Sequence, residues 1–216
     1  MVTEPPIDWA WQEGEDRAVL SGPGLRLAFA RVGDRWTHFL ELPQGSHAII
    51  IAQATESDPE RDGAQRVLSP LYQDIQRHEP AQGSDLYLLL TGRSFHHHFS
   101  AAVSLRGDPG QPGRLDIDFD IADRCRAPID SLAATYSVGV SGGQLVDANP
   151  GRIAWDPVGP DRGRLELIAE APATLALAEA GRHATCVQAL AKIEPATFTQ
   201  RLRYRWRWTN SPDRTR

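Results

Sequence analysis

Hydrophobic and polar residues alternate with period two through most of this chain. Residues 201–208 read Arg-Leu-Arg-Tyr-Arg-Trp-Arg-Trp. Successive side chains of a β-strand point to opposite faces. Arg201, Arg203, Arg205 and Arg207 therefore line one face, and Leu202, Tyr204, Trp206 and Trp208 line the other. Residues 115–121 repeat the pattern, with Asp116, Asp118 and Asp120 against Leu115, Ile117, Phe119 and Ile121. Residues 25–32 and 35–42 flank Gly33-Asp34, a strong hairpin signal. The apolar, β-branched run 47–52 predicts a central strand buried on both faces. Further strands are expected at 85–91, 95–105, 131–140, 152–155 and 164–169.

Three segments are less regular. Residues 67–78 fit either a strand or a short helix opening at Ser69-Pro70, since proline suits the first helical position. Residues 171–190 are rich in Ala and Leu, which favour helix. Leu175, Leu177 and Glu179 nevertheless keep period two up to Gly181, so a hairpin is preferred. Pro195 before the last strand predicts a bulge or a strand that switches sheets. Residues 56–63 are charged and turn-rich and read as a loop.

About a dozen short strands separated by Gly/Pro turns, with no sustained helical period, predict an all-β protein. The preferred architecture is a large, twisted, two-sheet antiparallel β-sandwich of supersandwich-like size, with a closed β-barrel as the alternative. A single domain is expected over residues 1–216, with 1–16 as an N-terminal arm and 211–216 as a frayed tail. The 216 residues carry 23 Lys and Arg against 28 Asp and Glu, a formal net charge of −5. That balance argues against general nucleic-acid binding, which requires a positive field. No apolar run is long enough to span a membrane as a helix, and the acidic N-terminal region has no signal-peptide pattern. A cytoplasmic location is the corresponding expectation. Two cysteines without C-x-x-C spacing do not suggest a disulfide scaffold.

Three groups of residues carry candidate chemistry. His96-His97-His98 lies in a strand candidate whose apolar phase includes His97, so His96 and His98 share the polar face. An H-x-H pair can begin a metal site. No glutamate or later histidine follows at a fitting spacing, and no metal site is assigned. The second group is the Asp116, Asp118, Asp120 row. If Leu105 opposes Leu115 across the 107–113 loop, all the apolar pairs fall on one face. Ser100 then meets Asp120, and His98 becomes the diagonal neighbour of Asp120. A histidine beside a carboxylate is the minimum for acid–base chemistry. The third group is the arginine row, expected to neutralise the aspartates on a neighbouring strand of the same sheet, with a face that binds an anion such as a phosphate, sulfate or uronic acid as the functional alternative.

Cys125 stands between Arg124 and Arg126, but no partner histidine is identifiable, so it is assigned a structural role. No phosphate-binding loop, dinucleotide fingerprint, G-x-S-x-G or H-E-x-x-H occurs. No cofactor is expected.

The sequence thus supports a binding module for a small-molecule or carbohydrate ligand, with Arg203, Arg205 and Asp118 as binding residues. The alternative is a cofactor-independent sugar mutarotase or isomerase using His96, His98 and Asp120. A structural or oligomerisation domain, including a homo-oligomer, is the third reading.

Overall fold

The computed structural model describes residues 10–55, 69–78, 87–108, 110–111, 113–140, 143–158, 163–180 and 184–210. Among them every regular element is a strand, and all strand pairs are antiparallel. One eight-stranded sheet, sheet A, runs in the order β1 (Ala10–Glu13), β2 (Arg17–Gly22), β3 (Leu25–Val32), β4 (Arg35–Gln44), β5 (His47–Thr55), β10 (Ala133–Val138), β15 (Thr185–Leu190) and β14 (Thr174–Ala180). The other, sheet B, also eight-stranded, runs β11 (Gln144–Asn149), β12 (Arg152–Val158), β13 (Gly163–Ala169), β16 (Thr199–Thr209), β9 (Arg114–Cys125), β8 (His97–Gly107), β7 (Tyr87–Ser94) and β6 (Asp74–His78). The arrangement is a two-sheet sandwich, and neither sheet closes into a barrel.

The period-two pattern places the core. Leu202, Tyr204, Trp206 and Trp208 of β16 are buried, as are Leu115, Ile117, Phe119 and Ile121 of β9. They face Leu20, Leu27, Phe29 and Leu40 of sheet A in one hydrophobic cluster. A buried aromatic and polar knot joins the sheets. The Tyr136 hydroxyl lies 2.6 Å from that of Tyr204 and 2.8 Å from His38 Nε2. His38 also stacks on Phe119, with ring centroids 5.2 Å apart.

Several local expectations are met. Gly33, with φ +65°, makes the two-residue turn between β3 and β4. The 171–190 segment is the β14–β15 hairpin. The chain passes from sheet A at Leu190 to sheet B at Thr199 across Pro195, the expected switch. Part of the N-terminal arm, Ala10–Glu13, pairs with β2 as the edge of sheet A.

Others are corrected. The helix considered at Ser69-Pro70 does not form. Residues 69–73 lie outside helix, Tyr72 bridges to Trp36, and a strand follows at Asp74–His78. Residues 67–68 and the 56–63 loop lie outside the described residues. β5 is central in its sheet but buried on one side only, with Ile50 47% exposed. Among the described residues none covers the outer face of sheet A there, so a run of β-branched residues marks a strand but not two-sided burial. The strand expected at 95–105 begins only at His97, and Phe95 lies outside the core. It sits in the β7–β8 turn at φ +52° and is 70% exposed.

Gly92 on β7 lets the segment at Leu71-Tyr72 approach the sheet. A Cβ at Gly92 would stand 2.0 Å from the Leu71 carbonyl oxygen. Relief requires backbone movement, because the clashing atom belongs to the main chain. Gly92→Ala is expected to destabilise by about 1–3 kcal/mol. Urea unfolding of the two proteins checks this, and equal midpoints would refute the close approach.

Candidate functional site

The centre of the outer face of sheet B is built by the polar phase of two long neighbouring strands. β9 and β16 pair with Asp116 opposite Arg207, Asp118 opposite Arg205 and Asp120 opposite Arg203. The two charge rows therefore oppose each other residue by residue; the shared sheet is as expected from the sequence, and the register is set by the structure. Arg207 makes a bidentate contact with Asp116, at 2.8 and 3.0 Å. Arg205 Nε donates to Asp118 at 2.5 Å. Asp120 receives Arg201 Nε at 2.7 Å, with Arg203 Nε at 3.2 Å from its second oxygen. The network spreads to β8 through Arg106 and beyond β13 through Glu170.

Burial of the Asp116 carboxyl pushes its pKa up, but hydrogen bonds from Arg207 and Arg114, with their charges, more than offset this. The group ends below the ordinary carboxylate range. Asp120 follows the same balance, with Arg201 and Arg203 as the opposing partners. Both side chains are thus held ionised. The more exposed pairs, Arg201 and Arg203 with Asp120, contribute only tenths of a kcal/mol each, and the row acts mainly to fix register.

Over part of the charge rows the face is concave, an open depression of about 860 Å³. Small residues make the floor on β8: Ala102 stands opposite Asp120, and Ser104 opposite Asp118. Tyr87 stands at the rim, 39% exposed, its ring stacked on His78 at 5.0 Å. The charged lining is balanced, with Arg106, Arg203 and Arg205 against Asp118, Asp120 and Glu170. Two of its atoms are within ion-pair distance of a counter-charge without hydrogen-bond geometry. Asp118 Oδ2 lies 3.5 Å from Arg106 Nε, and Arg203 Nε lies 3.2 Å from Asp120 Oδ2. One is an acceptor and the other a donor.

The sequence candidates divide into two places. Asp118, Asp120, Arg203 and Arg205 come together in the concavity. His96 and His98 do not join them. His96 occupies the β7–β8 turn, and His98 is exposed opposite Arg93 and Arg124. The β8–β9 hairpin pairs Leu105 with Ile117 rather than Leu115. That slip of two residues keeps every side chain on its expected face but changes every partner. His98 lies four residues along β8 from the position opposite Asp120, roughly 13 Å at strand rise. Among the described residues neither His96 nor His98 is hydrogen-bonded to a carboxylate.

The His–carboxylate pair that does form is a different one. His97 Nδ1 lies 2.9 Å from Asp123 Oδ2, and His97 Nε2 lies 3.9 Å from Cys125 Sγ. Asp123 is fully buried, and burial pushes its carboxyl up, with the His97 hydrogen bond and the charges of His97 and His98 offsetting this only in part. The sequence does carry a signal for this pair. His97 and Asp123 each occupy the apolar phase of their strand, and polar groups on core faces need partners. The same geometry gives Cys125 the histidine that the sequence could not supply.

Asp123 and Cys125 contact opposite nitrogens of one ring, so the three do not converge on a point. Among the described residues no group of three or more His, Cys, Asp or Glu is placed to hold a metal ion. None of the described residues forms a helix long and apolar enough to cross a membrane. The chain matches no protein-family model and no curated protein sequence.

Proposed function

We propose that this protein is a binding module whose site is the concave outer face of sheet B, and that its ligand is a small polyhydroxylated molecule such as a sugar. The observation that carries this reading is the charge balance of the lining, three guanidinium groups against three carboxylates. An anionic ligand such as a phosphate or uronic acid would meet carboxylates already placed beside every arginine. A neutral polyol meets no such repulsion. Its hydroxyl groups donate to carboxylates and accept from guanidinium groups at the same time. Tyr87, held against His78, offers an aromatic surface at the rim. The volume suits a ligand of this size.

The mutarotase or isomerase alternative requires a histidine and a carboxylate within hydrogen-bond reach inside the concavity. Asp120 is there, but His96 and His98 are not, and among the described residues no other histidine lines it. Binding without chemistry is therefore the better-supported reading.

A thermal-shift and calorimetric screen against neutral sugars, uronic acids and sugar phosphates tests it. A neutral sugar at ten times its dissociation constant stabilises the fold by about 1.4 kcal/mol. Ala102→Trp fills the concavity from an exposed position without removing a charge. This variant is expected to fold normally and lose the shift. Stabilisation by phosphate-bearing ligands alone, or a shift that survives Ala102→Trp, would overturn the proposal.

A further inference from the structure

At one end of sheet B, apart from the concavity, three side chains from two neighbouring strands form a relay. His97 opens β8, and Asp123 and Cys125 close β9, with His97 directly opposite Cys125 in register. Asp123 Oδ2 and His97 Nδ1 are 2.9 Å apart. With Asp123 ionised and His97 neutral, Nδ1–H donates to the carboxylate and Nε2 keeps a lone pair. That lone pair faces the Cys125 thiol at 3.9 Å. His97 is also stacked on Phe99, at 5.7 Å between centroids, which fixes the plane of its ring. Nucleophile, base and base-orienting group thus stand in the order that nucleophilic catalysis uses.

Packing alone does not account for this arrangement. Asp123 is wholly buried, and among the described residues its Oδ1 has no hydrogen-bond partner. A leucine or phenylalanine at that position would avoid the unsatisfied atom.

We infer that Cys125 is a peroxide-reactive thiol, with His97 as its proton acceptor and donor and Asp123 as the residue that positions His97. Access selects the reagent class. Cys125 is only 6% exposed and the His97 side chain 18%, so access excludes a bulky acyl donor and restricts the reagent to a few atoms. Acyl transfer also requires a donor for an oxyanion. The Cys125 amide is already committed to the Phe198 carbonyl at 2.9 Å.

The thiol proton moves to His97 Nε2, and the thiolate sulfur attacks one peroxide oxygen. The S–O bond forms as the O–O bond breaks. The departing hydroxide takes the proton back from His97 and leaves as water. Sulfur is oxidised by two electrons to a sulfenic acid, and hydrogen peroxide is reduced to that oxygen and one water.

The second cysteine provides an internal reference. Cys186 is more exposed than Cys125. If access alone governed reactivity, Cys186 would react first. The full chain is treated with hydrogen peroxide in the presence of dimedone, and adducts at the two cysteines are followed by mass spectrometry. Cys125 is expected to be trapped about tenfold faster than Cys186, or more. His97→Gln should abolish that preference without changing the Cys186 rate. In His97→Ala, added imidazole should restore part of it. Asp123→Asn should lower the Cys125 rate while leaving Cys186 unchanged. Faster trapping of Cys186 in the unmodified protein would overturn the inference whether or not the variants fold. An unaltered Cys125 rate in folded His97→Gln would do the same.

Discussion

Trp206→Ala is expected to lower the free energy of unfolding by about 3–5 kcal/mol. Trp206 is completely buried in the middle of β16, between Ile117 of β9 and Leu167 of β13. Its indole stacks near Trp155 at 6.2 Å and meets the Tyr136 ring edge-on at 5.1 Å across the sandwich. Truncation removes the burial of the largest kind of side chain and leaves a void that three strands of one sheet cannot collapse to fill. Trp206→Phe keeps an aromatic contact and should cost less. Arg203→Ala, three residues away on the outer face of the same strand, should change stability by less than about 1 kcal/mol. Urea denaturation of the three variants checks the order. Comparable losses for Trp206→Ala and Arg203→Ala would contradict the assignment of the two faces.

Acidification is expected to destabilise the protein before its surface carboxylates titrate. Burial pushes His38 down to about 4, so the ring stays neutral in the fold. The unfolded chain takes up this proton near pH 6.5. Between those values the unfolded state binds more protons than the native state, and stability therefore falls as pH falls. A difference of this size corresponds to about 3 kcal/mol, lost progressively from pH 6.5 to 4. Asp116 and Asp120 are depressed in the fold. Their contribution is retained until the pH enters the ordinary carboxylate range and is lost as the pH falls from there through their depressed values. Asp123, raised by burial, opposes the His38 effect in part. His38→Gln keeps a hydrogen-bonding group near the Tyr136 hydroxyl but cannot take up the proton. Its stability should be flatter than that of the unmodified protein between pH 6.5 and 4. Parallel curves for the two proteins would show that His38 is not the group responsible.

The buried tyrosine pair beside His38 fits the same picture. Burial pushes the Tyr136 and Tyr204 hydroxyls upward, and their 2.6 Å contact satisfies both. The knot is a neutral hydrogen-bonded chain between the sheets, and its members stay uncharged at neutral pH. A charge introduced there by acid has no counter-charge to meet.

What the sequence by itself determined was the face of each side chain. Period-two alternation is a local property, imposed by the pleat, and it survives whatever partner a strand acquires. The buried faces of β9 and β16, the hairpin at Gly33 and the opposition of the aspartate and arginine rows were all legible for this reason. Tertiary structure decided register, curvature and company. Slipping β8 by two residues against β9 preserves every face, so the pattern could not distinguish Leu105 opposite Leu115 from Leu105 opposite Ile117. That slip separates His98 from Asp120. Tyr87, Ser104 and Glu170 join the concavity from strands and a loop far apart in the chain, and no local pattern links them. The relay through Asp123, His97 and Cys125 depends likewise on the ends of two strands meeting in one register. A period of two residues specifies inside and outside. It contains no information about which even-numbered register brings two side chains within hydrogen-bond distance.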